Sequence, residues 1–111
     1  MTDDLRVGDV AYRHGDIVLI VAELPAHARR ISADGEPIVL AVGEATGHAH
    51  TVTGTRVALW SADEQRYLVA ESTDVALDHQ EHGHVPVQVR TYFVGQEREY
   101  TDDQSERRTV D

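Results

Sequence analysis

Seven histidines occur in a chain of 111 residues, and five of them fall in two short segments. The first is Gly47-His48-Ala49-His50, and the second is Asp78-His79-Gln80-Glu81-His82-Gly83-His84. On an extended strand, residues i and i+2 leave the same face about 6.5–7 Å apart along the chain. His48 and His50 can therefore aim both imidazoles at one point. His82 and His84 stand in the same relation. His79 and His82 converge if a turn or bulge intervenes, which Gly83 permits. Asp78 and Glu81 are placed to ligate an ion, or to orient an imidazole by hydrogen bonding from behind.

The donor chemistry follows from composition. The chain has no cysteine, which removes disulfides, iron–sulfur clusters, thiolate zinc sites and cysteine nucleophiles. Imidazole and carboxylate together suit a divalent transition metal: Zn, Fe, Mn, Ni or Cu. Three protein ligands would leave coordination positions open for chemistry. The expected ligands are His48, His50 and His82, then His79, then His84, with Glu81 and Asp78 behind them. Two other readings stand beside this one. The histidines can be polar loop residues bonded to backbone or facing solvent, or metal-free acid–base or pH-sensing groups. His14 and His27 lie apart from both clusters and read as a turn residue and a loop residue. Trp60 and Tyr67 read as packing residues.

Short strands must carry these groups. Asp16–Ala22 and Pro37–Gly43 are apolar, β-branched and bounded by Gly, Pro and Asp, the pattern of strands buried on both faces. Arg13-His14-Gly15-Asp16 and Ser32-Ala33-Asp34-Gly35 read as turns before them. The proline in Leu24–Arg30 makes that stretch a loop or a single helical turn. Thr55–Trp60 and Gln65–Ala70 read as a hairpin around Ser61–Glu64, and a further strand begins at Val75-Ala76-Leu77. Val85 to Val94 alternates so that Val85, Val87, Val89 and Phe93 share one face, with Arg90 and Tyr92 on the other. About eight short strands and no long helix predict an all-β fold: a small single-domain β-sandwich, jelly roll or barrel. The domain is expected over residues 1–100, with 101–111 a mobile charged tail.

The formal net charge is −10, and all ten basic residues are arginine. Such a chain repels phosphate backbones, which argues against general nucleic-acid binding. No run is apolar enough to span a bilayer, and the acidic start, Met1-Thr2-Asp3-Asp4, is unlike a secretory signal. The expected location is the cytoplasm. Gly43-Glu44-Ala45-Thr46-Gly47 lacks the lysine of a phosphate loop, and no Gly-x-Ser-x-Gly elbow is present.

The segment Gly43 to His50 resembles the first motif of the cupins, small β-barrels in which His-x-His after a glycine supplies two metal ligands. That resemblance implies His48 and His50 as ligands. The cupin glutamate is missing, because Thr51-Val52-Thr53-Gly54-Thr55 follows. A broader resemblance is to an uncharacterised group of small bacterial and phage-associated proteins. It rests on Gly47-His48-Ala49-His50, on Leu77 to His82 and on Tyr92-Phe93-Val94-Gly95-Gln96-Glu97-Arg98-Glu99-Tyr100. That group shares a Gly-His-Ala-His step, a His-x-Glu-His step and a late Gln-Arg-Glu-Tyr step, here Gln-Glu-Arg-Glu-Tyr.

Three functions are compatible with these residues. The leading one is a metal-binding β domain whose ion staples two strands or sits at a subunit contact. The second is a cupin-like metalloenzyme acting on a small polar molecule, its pocket lined by residues such as Tyr92, Arg90 or Trp60. The third is a metal-free structural or self-assembling module, a homo-oligomer built through exposed strand edges.

Overall fold

The computed structural model describes residues 5–33, 36–42, 49–79 and 83–96. Every regular element among them is a strand: β1 (Val10–His14), β2 (Ile17–Val21), β3 (Arg29–Arg30), β4 (Ile38–Val42), β5 (Ala49–Thr53), β6 (Val57–Ala62), β7 (Gln65–Ala70), β8 (Ala76–His79), β9 (Gly83–Pro86) and β10 (Thr91–Gln96). They form two antiparallel sheets, one ordered β1-β2-β10-β7-β6-β3 and the other β4-β5-β8-β9. The protein is thus an all-β sandwich, the first of the predicted architectures, and not a closed barrel. Among the described residues no helix is long and apolar enough to cross a membrane. The proposed tail, 101–111, lies outside the described residues.

Period-2 alternation builds the interior. Ile17, Leu19 and Val21 of β2 point inward beside Tyr92 and Val94 of β10, Leu68 and Ala70 of β7 and Leu59 of β6. The smaller sheet answers with Ile38, Leu40, Val52 and Leu77. Burying each such aliphatic side chain stabilises by about 1.5–3 kcal/mol. Tyr92 is 1% exposed. Its hydroxyl donates to the Gln88 carbonyl at 2.8 Å, so its one polar atom is satisfied within the core. Burial pushes its phenol pKa well up, with the neighbouring Tyr12 adding to the effect.

The all-β expectation of about eight short strands holds, with ten strands among the described residues. Four readings of the sequence are corrected. His14 closes strand β1 rather than belonging to a turn, and Arg29–Arg30 form the two-residue edge strand β3 inside a stretch that reads as a loop or helical turn. The run 37–43 is not covered on both faces: β4 is an edge strand, and Val39 is 45% exposed. Val85 to Val94 is not one strand either. It breaks between β9 and β10, and the intervening residues reverse the parity. Tyr92 and Val94 therefore face the core, while Val89 is 49% exposed. A shift of one residue in the alternation exchanges the two faces of a strand. On the outer face of the large sheet, Phe93, Tyr67 and Trp60 then fall in one row across β10, β7 and β6.

Candidate functional site

One end of the sandwich interior is polar. β1 enters it at His14, and the tight turn Gly15–Asp16 leads into β2, pairing His14 with Ile17. Gly15 has φ +65°, a left-handed conformation that glycine adopts without the Cβ penalty. Ile17 is a core residue, so its partner His14 also faces inward and is 3% exposed. On the opposing sheet, His50 shares a face with Val52 on β5, and His79 shares a face with Leu77 on β8. His50 is 4% and His79 8% exposed. Three imidazoles from three strands thus meet between the sheets. Ring centroids lie 5.3 Å apart for His14 and His50, 6.0 Å for His14 and His79, and 4.3 Å for His50 and His79.

The polar contacts constrain where the protons sit. His14 Nε2 is 3.0 Å from the Gly83 carbonyl oxygen. A carbonyl only accepts, so the proton is on His14 Nε2. Gly83 has φ +83°, and this turn of the backbone at the start of β9 presents that oxygen. His50 Nε2 is 3.3 Å from Asp16 Oδ1, and a lone pair facing a carboxylate would be repelled, so this nitrogen also carries hydrogen. Asp16 is held in turn by Gln96, whose Nε2 donates to Oδ2 at 2.9 Å. With both Nε2 atoms committed, the remaining nitrogens are the two Nδ1 atoms, and these face each other across 3.2 Å. At that distance either an N–H on one Nδ1 donates to the lone pair of the other, or the two lone pairs share a cation.

A further charged side chain among the described residues faces the interior. Arg66 lies on the inward face of β7, opposite Val94 and Ser61, and its Nη2 donates to the Leu40 carbonyl across the sheets at 2.8 Å. Leu40 precedes Ala41, the strand partner of His50.

The predicted site residues divide as follows. His50 and His79 are brought together in the buried cluster. His48, Glu81 and His82 lie outside the described residues. His84 and Asp78 are cross-strand neighbours on the outer face of the small sheet, opposite to His79. Both are more than half exposed, with His84 Nδ1 4.0 Å from Asp78 Oδ1. Trp60, Arg90 and Tyr92 are not at the histidine site. Trp60 is on the outer sheet face, Arg90 donates to the Leu5 carbonyl at 2.8 Å, and Tyr92 is in the core. Reading His14 as a turn residue missed a member of the cluster, and Asp16 and Arg66 were not singled out. A signal for His14 was present: Gly-Asp between two short β-branched or aromatic runs is a two-residue hairpin turn. In such a hairpin His14 pairs with Ile17 and inherits its face.

Among the described residues no group of three or more histidine, aspartate or glutamate side chains is arranged to hold a metal ion. The chain belongs to an uncharacterised family, described as "Domain of unknown function (DUF8820)", whose model matches residues 13–97. That span contains His14, Asp16, His50, Arg66, His79 and Gln96. No curated protein and no solved structure matches the chain.

Proposed function

We propose that this member of the DUF8820 family binds one divalent transition-metal ion between the Nδ1 atoms of His14 and His50, and that the ion ties edge strand β1 of the large sheet to β5 of the small one. The observation that carries this reading is the facing pair of Nδ1 atoms at 3.2 Å. Metal–nitrogen bonds of 2.0–2.1 Å at a tetrahedral angle put two ligand atoms about 3.3 Å apart. The outer nitrogens support it further. Ligating histidines as a rule donate their second ring N–H to a carbonyl or a carboxylate. Here the Gly83 carbonyl and the Asp16 carboxylate occupy those positions. His79 is the adjacent imidazole, its ring centroid 4.3 Å from that of His50. Such an ion is a clip between sheets, and its binding free energy adds to folding stability.

A second reading starts from the same 3.2 Å contact between the two Nδ1 atoms. In it the shared cation is a proton. His50 is then an imidazolium that donates from Nδ1 to His14 and from Nε2 toward Asp16, whose charge balances it.

Elemental analysis of the untagged protein separates the two. The metal reading expects about one equivalent of a transition metal, lost in His14→Ala and in His50→Ala and retained in His84→Ala. A metal-free protein that takes up no ion on reconstitution would overturn it in favour of the proton.

A further inference from the structure

The end of the sandwich away from the histidines holds a hollow. β9 runs from Gly83, whose carbonyl meets His14, to Pro86, and β10 runs from Thr91 to Gln96, which holds Asp16. The link between these strands therefore crosses from the small sheet to the large one at the opposite end. Its residues Val87, Gln88, Val89 and Arg90, together with Thr73 and Pro86, line a cavity of about 550 Å³. Small-molecule sites fall in the range of about 300–1,000 Å³.

This wall is fixed in advance, although residues 87–90 are neither strand nor helix. The Val87 N–H donates to the Val75 carbonyl at 2.8 Å, and the Gln88 N–H to the Tyr12 hydroxyl at 3.0 Å. The Gln88 carbonyl accepts from the Tyr92 hydroxyl at 2.8 Å, and the Arg90 carbonyl from the Ala70 N–H at 3.0 Å. A pre-formed wall spares a ligand the free-energy cost of ordering it.

The lining narrows the ligand. Pro86, Val87 and Val89 are apolar, and Val89 remains 49% exposed, so apolar surface here stays wet after folding. Arg90 is the one ionised side chain in the lining, and no aspartate or glutamate contributes to it. Its Nη1 donates to the Leu5 carbonyl at 2.8 Å, which uses one of the five donors of a guanidinium. Its charge opposes the burial-driven rise of the Tyr92 phenol pKa. The guanidinium therefore lies near the hydroxyl that meets Gln88, another lining residue. In a chain of net charge −10, a cation set in apolar surface with no acidic neighbour in the lining is where a small anion meets least repulsion.

We propose that this hollow binds a small monocarboxylic acid with a branched apolar body, the carboxylate on Arg90 and the body against Pro86, Val87 and Val89. A second charge on the ligand would find no second cation in the lining. The site lies at the other end from the histidines and stands or falls apart from the ion proposed there.

The test is titration of the ¹⁵N-labelled wild type at neutral pH with 4-methylpentanoate, with its neutral isostere 4-methylpentanamide and with acetate, followed by amide proton–nitrogen NMR. The expected result is saturable shifts at Thr73, Val87, Val89 and Arg90 with 4-methylpentanoate. Affinity should be at least tenfold weaker for the amide, which lacks the charge, and for acetate, which lacks the body. Arg90→Gln should bind the acid no more tightly than the amide, and Arg90→Lys should restore part of the difference. The proposal is overturned if 4-methylpentanoate gives no saturable shifts, if the shifts fall outside the hollow, or if the amide or acetate binds as tightly. Because Arg90 also ties down Leu5, Arg90→Gln can unfold; the comparison of acid with amide needs only the wild type and decides the matter without it.

Discussion

Replacing Asp16 by asparagine removes one negative charge facing His50 Nε2 at 3.3 Å and leaves the side-chain volume unchanged. The carboxylate has two effects in the metal reading. It keeps hydrogen on Nε2, so that Nδ1 is the nitrogen that meets the ion, and its charge makes that nitrogen more basic. Loss of such a partner costs about 10–100-fold in metal affinity, which corresponds to about 1.4–2.7 kcal/mol. The effect on the fold should be smaller. Asp16 sits in a surface turn, and the replacement asparagine keeps one acceptor oxygen of the two, so the metal-free protein should lose about one exposed hydrogen bond, about 1 kcal/mol or less. Competition against a chromophoric chelator reads the affinity, and urea unfolding of the stripped protein reads the stability. Unchanged affinity in Asp16→Asn would refute the reasoning, because the charge that the substitution removes is the one held responsible for the basicity of His50. An equal loss of stripped-protein stability would refute it differently, by showing that Asp16 acts on the fold rather than on the ion.

Four further outcomes are expected. Stripping the metal with a chelator should lower the melting temperature on the order of 10 °C relative to protein with free metal at about 100 times its Kd; scanning calorimetry checks this. The β6–β7 turn places Asp63 and Glu64, both non-glycine, at φ +55° and +67°, the conformation for which Asn-Gly is preferred. Asp63→Asn with Glu64→Gly should therefore stabilise by about 0.5–1 kcal/mol in urea unfolding. Gly54→Ala should destabilise by about 1–3 kcal/mol, since its new Cβ would lie 2.9 Å from Val75 Cγ2 at a φ of +147°. Tyr92 has a folded-state pKa raised by burial, so its contribution is present below the unfolded value near about pH 10 and is lost as pH rises above it. Tyr92→Phe should lose about 1 kcal/mol at neutral pH with the Gln88 hydrogen bond, and should show a shallower alkaline decline in stability.

What the sequence disclosed depended on whether one strand or two carried the information. The Ile17–Val21 run, the β6–β7 hairpin and the all-β class follow from local alternation and turn residues, and those features survive in the structure. The phase of β10 did not follow, because the four residues 87–90 carry the alternation on paper while the chain turns there. The face of Tyr92 was lost with it. The site was legible in halves. His50 and His79 stand in the two histidine-rich segments. His14 is 36 residues from His50, and nothing in its own neighbourhood marks it except the Gly-Asp turn that sets its pairing with Ile17. Arg66 shows no local signal, since an arginine in Gln65-Arg66-Tyr67 looks like the solvent face of a hairpin. Its inward direction follows from its register with Val94, a long-range fact.

The most direct test is the protonation and coordination state of the histidine ring nitrogens, read by long-range proton–nitrogen NMR correlation on uniformly ¹⁵N-labelled protein before and after metal removal. The account predicts that His14 and His50 in the loaded protein are both Nε2–H tautomers whose Nδ1 resonances shift when the ion is stripped. An Nδ1–H signal on His50 in the loaded sample, or Nδ1 resonances indifferent to metal, would contradict it and leave a proton as the cation shared by the pair.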